Sequence, residues 1–397
     1  MRPSPITLAI LGAGPVGLEA ALAAAERGWS FTVYEAGATP ATHVREWGHV
    51  RVFTPWDMNV SPRMRVALGE TAPSGDELPT GDELADELLD PVAALPALHD
   101  RVVLGARVVA VSRSGMLKHE EIGTGRRREH PFRLLVESAG GERVEHADAV
   151  LDCTGTWGQP NALGDGGIPA PGERACAERI EHRLPDLAAD PRHWAGRTIL
   201  LTGAGHSAQT AARDLALFAR DAPGTRVLWA VRAPAPTWGA VANDPLPERR
   251  RLNEVAANLT GGASTAVQVL PGRVTEALKP RGDRIGVTLR NGRTRAHAVD
   301  RILALNGSVG DFGLYRQLQV HECYATAGPM KLAATLLGAA GGDCLSMPAP
   351  GPDALTNPEP DFFILGQKSY GRNSQFLLRT GWEQVDDAFG LLEAARR

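Results

Sequence analysis

Short apolar runs that end in glycine recur along the chain. The first, Ile6-Thr-Leu-Ala-Ile-Leu11, leads into Gly12-Ala-Gly14-Pro-Val-Gly17 and then into an Ala/Leu-rich stretch, residues 18–26, that closes at Gly28. A short apolar run bounded by glycine reads as a buried strand, and the Ala/Leu-rich stretch as a helix with a glycine C-cap. Ser30-Phe-Thr-Val-Tyr34 alternates as a second strand and stops at Glu35, which completes a βαβ unit. The same order returns at Thr198-Ile-Leu-Leu-Thr202, Gly203-Ala-Gly205-His-Ser-Ala208, a helix over 207–220, a break at Pro223-Gly224 and a strand Arg226–Val231 closed by Arg232. The chain therefore carries a diverged internal repeat.

Between the two units, residues 101–112, 131–137 and 144–151 alternate like the strands of a meander, the last ending in Asp152-Cys-Thr-Gly155. A second meander follows the second unit at 264–270, 285–289 and 299–305, ending in Asn306-Gly307. The Pro/Gly-rich stretch 158–171 and the segment 185–197 read as linkers. Near the C-terminus come an apolar strand, Phe362-Phe-Ile-Leu365, a glycine turn and a helix over 382–395. The expected fold class is α/β, with two Rossmann-like, three-layer ββα dinucleotide-binding domains, the second inserted into the first. The expected boundaries are 1–160, 161–304 including the linker, and 305–397.

Composition narrows this little but excludes a good deal. With 397 residues, 43% hydrophobic and 22% charged, the chain is long enough for two or three packed domains and is neither disordered nor a coiled coil. Its 42 basic and 46 acidic residues leave a net charge of −4. The basic triplets Arg126-Arg127-Arg128 and Arg249-Arg250-Arg251 stand alone and read as solvated loops, so nucleic acid is not an expected partner. Cys153, Cys176, Cys323 and Cys344 show no CxxC and no metal-ligand spacing, the usage of reduced thiols in a cytoplasmic protein without a metal. The apolar stretch 6–25 follows Arg2 but contains Gly12, Gly14, Pro15, Gly17 and Glu19, which would interrupt a membrane span or a signal peptide.

The glycine runs carry the chemistry. In GxGxxG the first glycine makes a tight turn, the second lets backbone approach a pyrophosphate, and the third lets the helix pack closely, with its N-terminus facing the phosphates. Glu35 stands 23 residues after Gly12 at the end of the second strand, where a carboxylate accepts ribose hydroxyls and disfavours a 2′-phosphate. In the second run Ala208 takes the third position, and Arg232 stands where the acid would be. A guanidinium pairs bidentately with phosphate, so this site favours NADPH over NADH.

On these residues the chain resembles the two-dinucleotide-binding-domain flavoproteins over nearly its whole length. It is most similar to the flavin-containing (class B) monooxygenases, with thioredoxin-reductase-like oxidoreductases as more distant relatives. The resemblance rests on Gly12-x-Gly14-x-x-Gly17 with Glu35, Gly203-x-Gly205-x-x-Ala208 with Arg232, the strand ends Asp152-Cys-Thr-Gly155 and Leu305-Asn-Gly307, and the late Phe363-Ile-Leu-Gly366 run. It implies FAD on Gly12, Gly14, Pro15, Gly17, Glu35, Trp47, Val108, Thr154, Gly155, Gly366, Gln367 and Gln384. It implies NADPH on Gly203, Gly205, His206, Ser207, Ala208 and Arg232. The segment 42–63, with Trp47 and Trp56, is expected to cover the isoalloxazine ring.

Several positions depart from the relatives. The cysteine pair that passes electrons to a disulfide is missing, which argues against dithiol chemistry. Of the monooxygenase fingerprint FxGxxxHxxx(F/W), the segment 172–182 keeps only His182 as the histidine, and Phe53 rather than asparagine precedes Thr54-Pro55, with Asn59 farther on. Gly366-Gln367 stands where relatives have Gly-Asp, and a polar cluster, Lys368 to Arg372 with Gln375, follows. His182, Gln367 and Arg372 are the catalytic candidates.

The resemblance implies an NADPH-dependent FAD monooxygenase that forms a flavin C4a-hydroperoxide and oxygenates a small metabolite at nitrogen, sulfur or a carbonyl carbon. One alternative is an NADPH-dependent flavoprotein reductase of a non-disulfide acceptor. Another is a non-catalytic FAD-binding redox sensor or scaffold. The partners expected are a small-molecule substrate, molecular oxygen for the oxygenase, no membrane and no nucleic acid, with a homodimer left open.

Overall fold

The computed structural model describes residues 6–338 and 350–396, so the reading of Cys344 lies outside the described residues. In chain order the elements that build the four sheets and the main helices beside them are β1 (Thr7–Leu11), α1 (Pro15–Glu26), β2 (Ser30–Tyr34), β3 (Val102–Val103), β4 (Arg107–Arg113), β5 (Phe132–Ser138), β6 (Gly141–Ala147) and β7 (Ala149–Asp152). They continue with β8 (Ile180–Glu181), β9 (Thr198–Thr202), α2 (His206–Asp221), β10 (Arg226–Val231), α3 (Pro247–Thr260), β11 (Val267–Pro271), β12 (Val274–Arg281), β13 (Arg284–Asn291), β14 (Arg293–Val299) and β15 (Arg301–Ala304). The last are β16 (Phe362–Ile364) and α4 (Leu378–Ala394).

The chain divides into two compact units, one drawn from Met1–Gln159 and Val309–Arg397, the other Pro160–Ser308. The first unit holds a five-stranded sheet in the order β16-β7-β1-β2-β3 and a three-stranded sheet in the order β4-β5-β6. Every pairing in the five-stranded sheet is parallel, whereas the three-stranded sheet is antiparallel. The second unit repeats the plan, with β11-β10-β9-β15-β8 parallel and β12-β13-β14 antiparallel. A parallel sheet covered by helices on one face and by an antiparallel meander on the other is the three-layer ββα arrangement the sequence leads one to expect.

The composition of α1 follows from its place. Every residue from Val16 to Ala24 is buried, and five alanines over the helix let neighbours approach from several sides. α2 is one-sided by contrast, burying Ala208, Ala211, Ala212 and Leu215 while Leu217 and Arg220 are exposed. No helix among the described residues is long and apolar enough to cross a membrane.

Three expected strands split. The run 101–112 breaks at Leu104-Gly105, so that Val102 pairs with Val33 in the parallel sheet while Arg107 begins the meander. The run 144–151 breaks at Asp148, whose backbone N–H donates to the Thr7 carbonyl at 2.8 Å and whose carboxylate accepts from the Thr7 N–H at 2.8 Å. Asp300 does the same with Thr198 in the second unit, at 2.7 and 2.6 Å. One aspartate in each unit thus hands the chain from the meander to the parallel sheet, a second trace of the internal repeat.

The arginine triplets are solvated only in part: Arg126, Arg128, Arg250 and Arg251 are exposed, but the other member of each is buried. Arg127 is fully buried on Glu359, its Nη2 2.8 Å from Oε2, and shares that carboxylate with buried Arg113. Arg249 lies on α3 and forms a buried bidentate pair with Asp244, two contacts of 2.7 Å. In each triplet one guanidinium is drawn inward by a carboxylate distant in sequence or set before the helix, which local charge density does not reveal.

Candidate functional site

Both units present a glycine loop at the carboxyl edge of the parallel sheet. In the first, the Gly12 N–H donates to the Tyr34 carbonyl at 2.8 Å, which ties the loop to the end of β2. Gly17 cannot be replaced, because a Cβ there would lie 1.9 Å from the Gly12 carbonyl oxygen. Gly14 caps α1 without any side-chain cap, Pro15 starts the helix, and a Cβ on Gly14 would meet nothing within 4 Å. The uncapped start of α1 therefore has open space beside Gly14, the arrangement that receives a phosphate.

Glu35 is fixed beside this loop. Its Oε2 accepts the Ala13 N–H at 2.8 Å and its Oε1 the Gly37 N–H at 2.7 Å, so the carboxylate is oriented while each oxygen keeps a lone pair for a ligand hydroxyl. Trp47 and Pro15 line a cavity of about 220 Å³, with Thr54, Asn59, Leu88 and Phe376 among its other walls. The Asn59 amide is used internally: it donates to the carbonyls of Thr54 and Pro55 at 2.8 and 3.0 Å and accepts from the Thr54 hydroxyl.

The turn after β16 closes on the same edge. The Gly366 N–H donates to Gln384 Oε1 at 2.8 Å, Gln384 Nε2 donates to Ser369 Oγ at 2.9 Å, and Ser369 Oγ donates to the Gly366 carbonyl at 2.7 Å. Gln384 is buried and serves this turn. Gln367 Nε2 donates to the Asn373 carbonyl at 3.1 Å, and Arg372 is exposed on the same turn. Val108 sits on β4, opposite Val136.

Lys368 is the residue that sequence reasoning passed over, naming it only within a polar cluster. Its ammonium is buried, 2.6 Å from Asp152 Oδ2 and 3.1 Å from Thr154 Oγ1, with the Tyr315 ring centroid at 5.1 Å. The Thr154 hydroxyl in turn donates to Asp152 Oδ1 at 2.6 Å. Beside them, burial and then the Asp152 charge push the Cys153 thiol far above its ordinary range, so it stays protonated.

In the second unit Gly203 has φ +107°, and a Cβ there would lie 2.1 Å from the Leu305 carbonyl. Its own carbonyl accepts from Trp229 Nε1 at 2.8 Å, and Thr202 Oγ1 donates to Asn306 Oδ1 at 3.0 Å. Gly205 caps α2 with no side-chain cap, His206 and Ser207 open the helix exposed, and Ala208 is buried. His206 is held below its ordinary range by desolvation first and by Arg249 next, against the opposing pull of Asp244. Arg232 is exposed just past β10.

Of the three catalytic candidates, Gln367 and Arg372 share one turn of the first unit. His182 follows β8 in the second, half-buried, its Nδ1 buried without a hydrogen-bond partner. No group of three or more His, Cys, Asp or Glu among the described residues could hold a metal ion.

This fold, two parallel-sheet units with glycine loops, the second interrupting the first along the sequence, is shared with solved oxidoreductases. The bacillithiol disulfide reductase of Bacillus cereus superposes with a TM-score of 0.69 at 18% identity, covering 98% of this chain and 100% of its own. The ornithine N-hydroxylase of Kutzneria sp. 744, solved with reduced FAD, NADP+ and L-ornithine, superposes with a TM-score of 0.66 at 15% identity, covering 99% and 100%. The thioredoxin reductase of T. acidophilum does so with 0.61 at 14% identity, covering 98% of each chain. No protein-family model matches the sequence, and no curated protein matches it.

Proposed function

We propose that this chain is an FAD-containing, NADPH-dependent oxidoreductase that delivers reducing equivalents to a small acceptor other than a disulfide, and more specifically a monooxygenase acting on a small metabolite. The residues fit the two nucleotides. Gly12, Gly14, Pro15 and Gly17 with the uncapped start of α1 would hold the FAD diphosphate, and the oriented Glu35 carboxylate its ribose. Trp47 and the apolar cavity beside Pro15 offer a slot for a planar ring, with Thr154, Gly155 and the Gly366-Gln367 turn, steadied by Gln384, along the same edge. Gly203, Gly205, His206, Ser207 and Ala208 would hold the NADPH diphosphate and Arg232 its 2′-phosphate. FAD, when bound, supplies hydride acceptance from NADPH and electron transfer to an acceptor.

The observation that carries the acceptor class is the spacing of the cysteines, none of which pairs with another in a CxxC motif. Hydrogen bonds at Thr326 lower the Cys323 thiol, whereas Cys153, beside the first glycine loop, is pushed far up by burial and the Asp152 charge. A thiol pushed that far up is no nucleophile at neutral pH. Gln367 and Arg372, on the turn that closes the first site, are the groups we assign to orienting substrate there by hydrogen bonds; His182, in the second unit, is kept as a catalytic candidate for its imidazole.

A specific observation favours a second reading, an NADPH oxidoreductase without oxygen transfer: Asn59, the asparagine nearest Thr54-Pro55, spends its amide on backbone carbonyls. Rapid mixing of the NADPH-reduced protein with oxygenated buffer decides between them. The oxygenase predicts a delayed return of the oxidised spectrum, with incorporation of labelled oxygen into an amine, thioether or ketone. Immediate reoxidation with one peroxide per flavin, and no oxygenated product with any of these, would leave the reductase.

A further inference from the structure

Two neighbouring strand ends in the unit Pro160–Ser308 carry arginines with no carboxylate partner among the described residues. Arg232 follows β10 and is exposed; Arg273 follows β11 and is half-buried. β10 and β11 are parallel neighbours with Val231 opposite Pro271, so both deliver their next residues to the carboxyl edge of the sheet, where open α/β sheets bind ligands. The turn after β11 is laced to the segment after β10 on both sides of Arg232. The Arg273 N–H donates to the Val231 carbonyl at 2.9 Å, and the Gly272 N–H donates to the Ala233 carbonyl at 3.0 Å.

Arg273 shares one neighbour with another arginine, Arg295. His297 on β14 is held below its ordinary range by desolvation first, then by Arg295, then by Arg273, with no carboxylate opposing them. Like charges gathered without a counter-charge repel one another, and an arriving anion relieves that cost. A phosphate monoester carries about −1.5 to −2 charges and three acceptor oxygens, more than one guanidinium neutralises or fills.

We infer that Arg273 is a second specificity-determining residue of the NADPH site, joining Arg232 on the adenosine 2′-phosphate. The inference rests on the reading of this unit as the NADPH-binding one. It assigns the phosphate two guanidinium groups from adjacent strand ends, one exposed and one steadied by the backbone lacing.

The test is titration calorimetry of the full-length flavin-loaded protein with 2′,5′-ADP and with 5′-ADP, which differ in the 2′-phosphate. The parent protein should prefer 2′,5′-ADP, and Arg273→Ala should cut that preference by about 10- to 100-fold, the worth of a charge-assisted hydrogen-bonded pair, while leaving 5′-ADP binding unchanged. Arg273→Lys should restore part of it. If the alanine variant does not fold, Arg273→Gln replaces it. Unchanged preference in Arg273→Ala and Arg273→Gln, with loss in Arg232→Ala, would remove Arg273 and leave the NADPH reading standing. An equal loss for both ligands would reduce Arg273 to a structural residue. A parent protein without any preference would overturn the NADPH reading, and this inference with it.

Discussion

The Lys368 ammonium and the Asp152 carboxylate meet at 2.6 Å with both side chains fully buried, Asp152 ending β7 and Lys368 lying on the turn that follows the neighbouring strand β16. A buried pair of this kind adds little net stability over an apolar pair of the same shape, yet breaking it strands a charge. Lys368→Met should therefore destabilise the unit by about 3–5 kcal/mol, and Lys368→Met combined with Asp152→Leu by much less. Denaturant unfolding of the two variants checks this; equal losses would mean that the pair contributes by packing alone.

The two glycine loops should respond unequally at their third position. Gly17→Ala drives a methyl group into the Gly12 carbonyl, so it should yield protein that is colourless or unfolded. Ala208→Gly removes only a methyl group and should cost about 1 kcal/mol or less. The flavin-to-protein absorbance ratio and the melting temperature read both, and a yellow, stable Gly17→Ala protein would contradict the loop geometry.

Glu35 holds two backbone N–H groups and is assigned the ribose. Glu35→Gln turns one acceptor oxygen into a donor facing an N–H, so FAD affinity should fall by about tenfold or more. Dialysis against flavin-free buffer, followed by fluorescence of the released cofactor, measures it. Retention equal to that of the parent would place the ribose elsewhere.

His206 gives a pH signature. Its folded-state pKa lies below the ordinary value of 6.5, so the free protein carries it neutral at pH 7, and protonating it works against folding as pH falls below that value. A bound diphosphate favours the charged imidazolium, so binding takes up a proton and the affinity for 2′,5′-ADP should rise as pH falls from 7 toward 5.5. The phosphate titrates in the same range, so the ratio of parent to His206→Gln affinity is the quantity to plot. A flat ratio would show that His206 does not face the diphosphate.

What the sequence made legible was what the backbone demands locally. Gly12, Gly17 and Gly203 are dictated by turn and close approach, and their spacing is visible in one dimension. Strand breaks at Asp148 and Asp300 were hidden because an aspartate fits the alternation on either side while its carboxylate turns back to a strand far away. Lys368 and Asp152 are 216 residues apart, and Arg127 and Glu359 are 232 apart. Neither pairing leaves a periodic trace, so charge read locally placed Arg127 in solvent, whereas a distant carboxylate holds it in the interior.

The most direct test of the account is anaerobic titration of the purified protein with NADPH and, separately, NADH while the flavin spectrum is recorded. The expected result is a yellow protein whose flavin NADPH bleaches stoichiometrically and much faster than NADH does, the difference disappearing in Arg232→Ala. A flavin that neither nucleotide bleaches, or that both bleach equally, would contradict it.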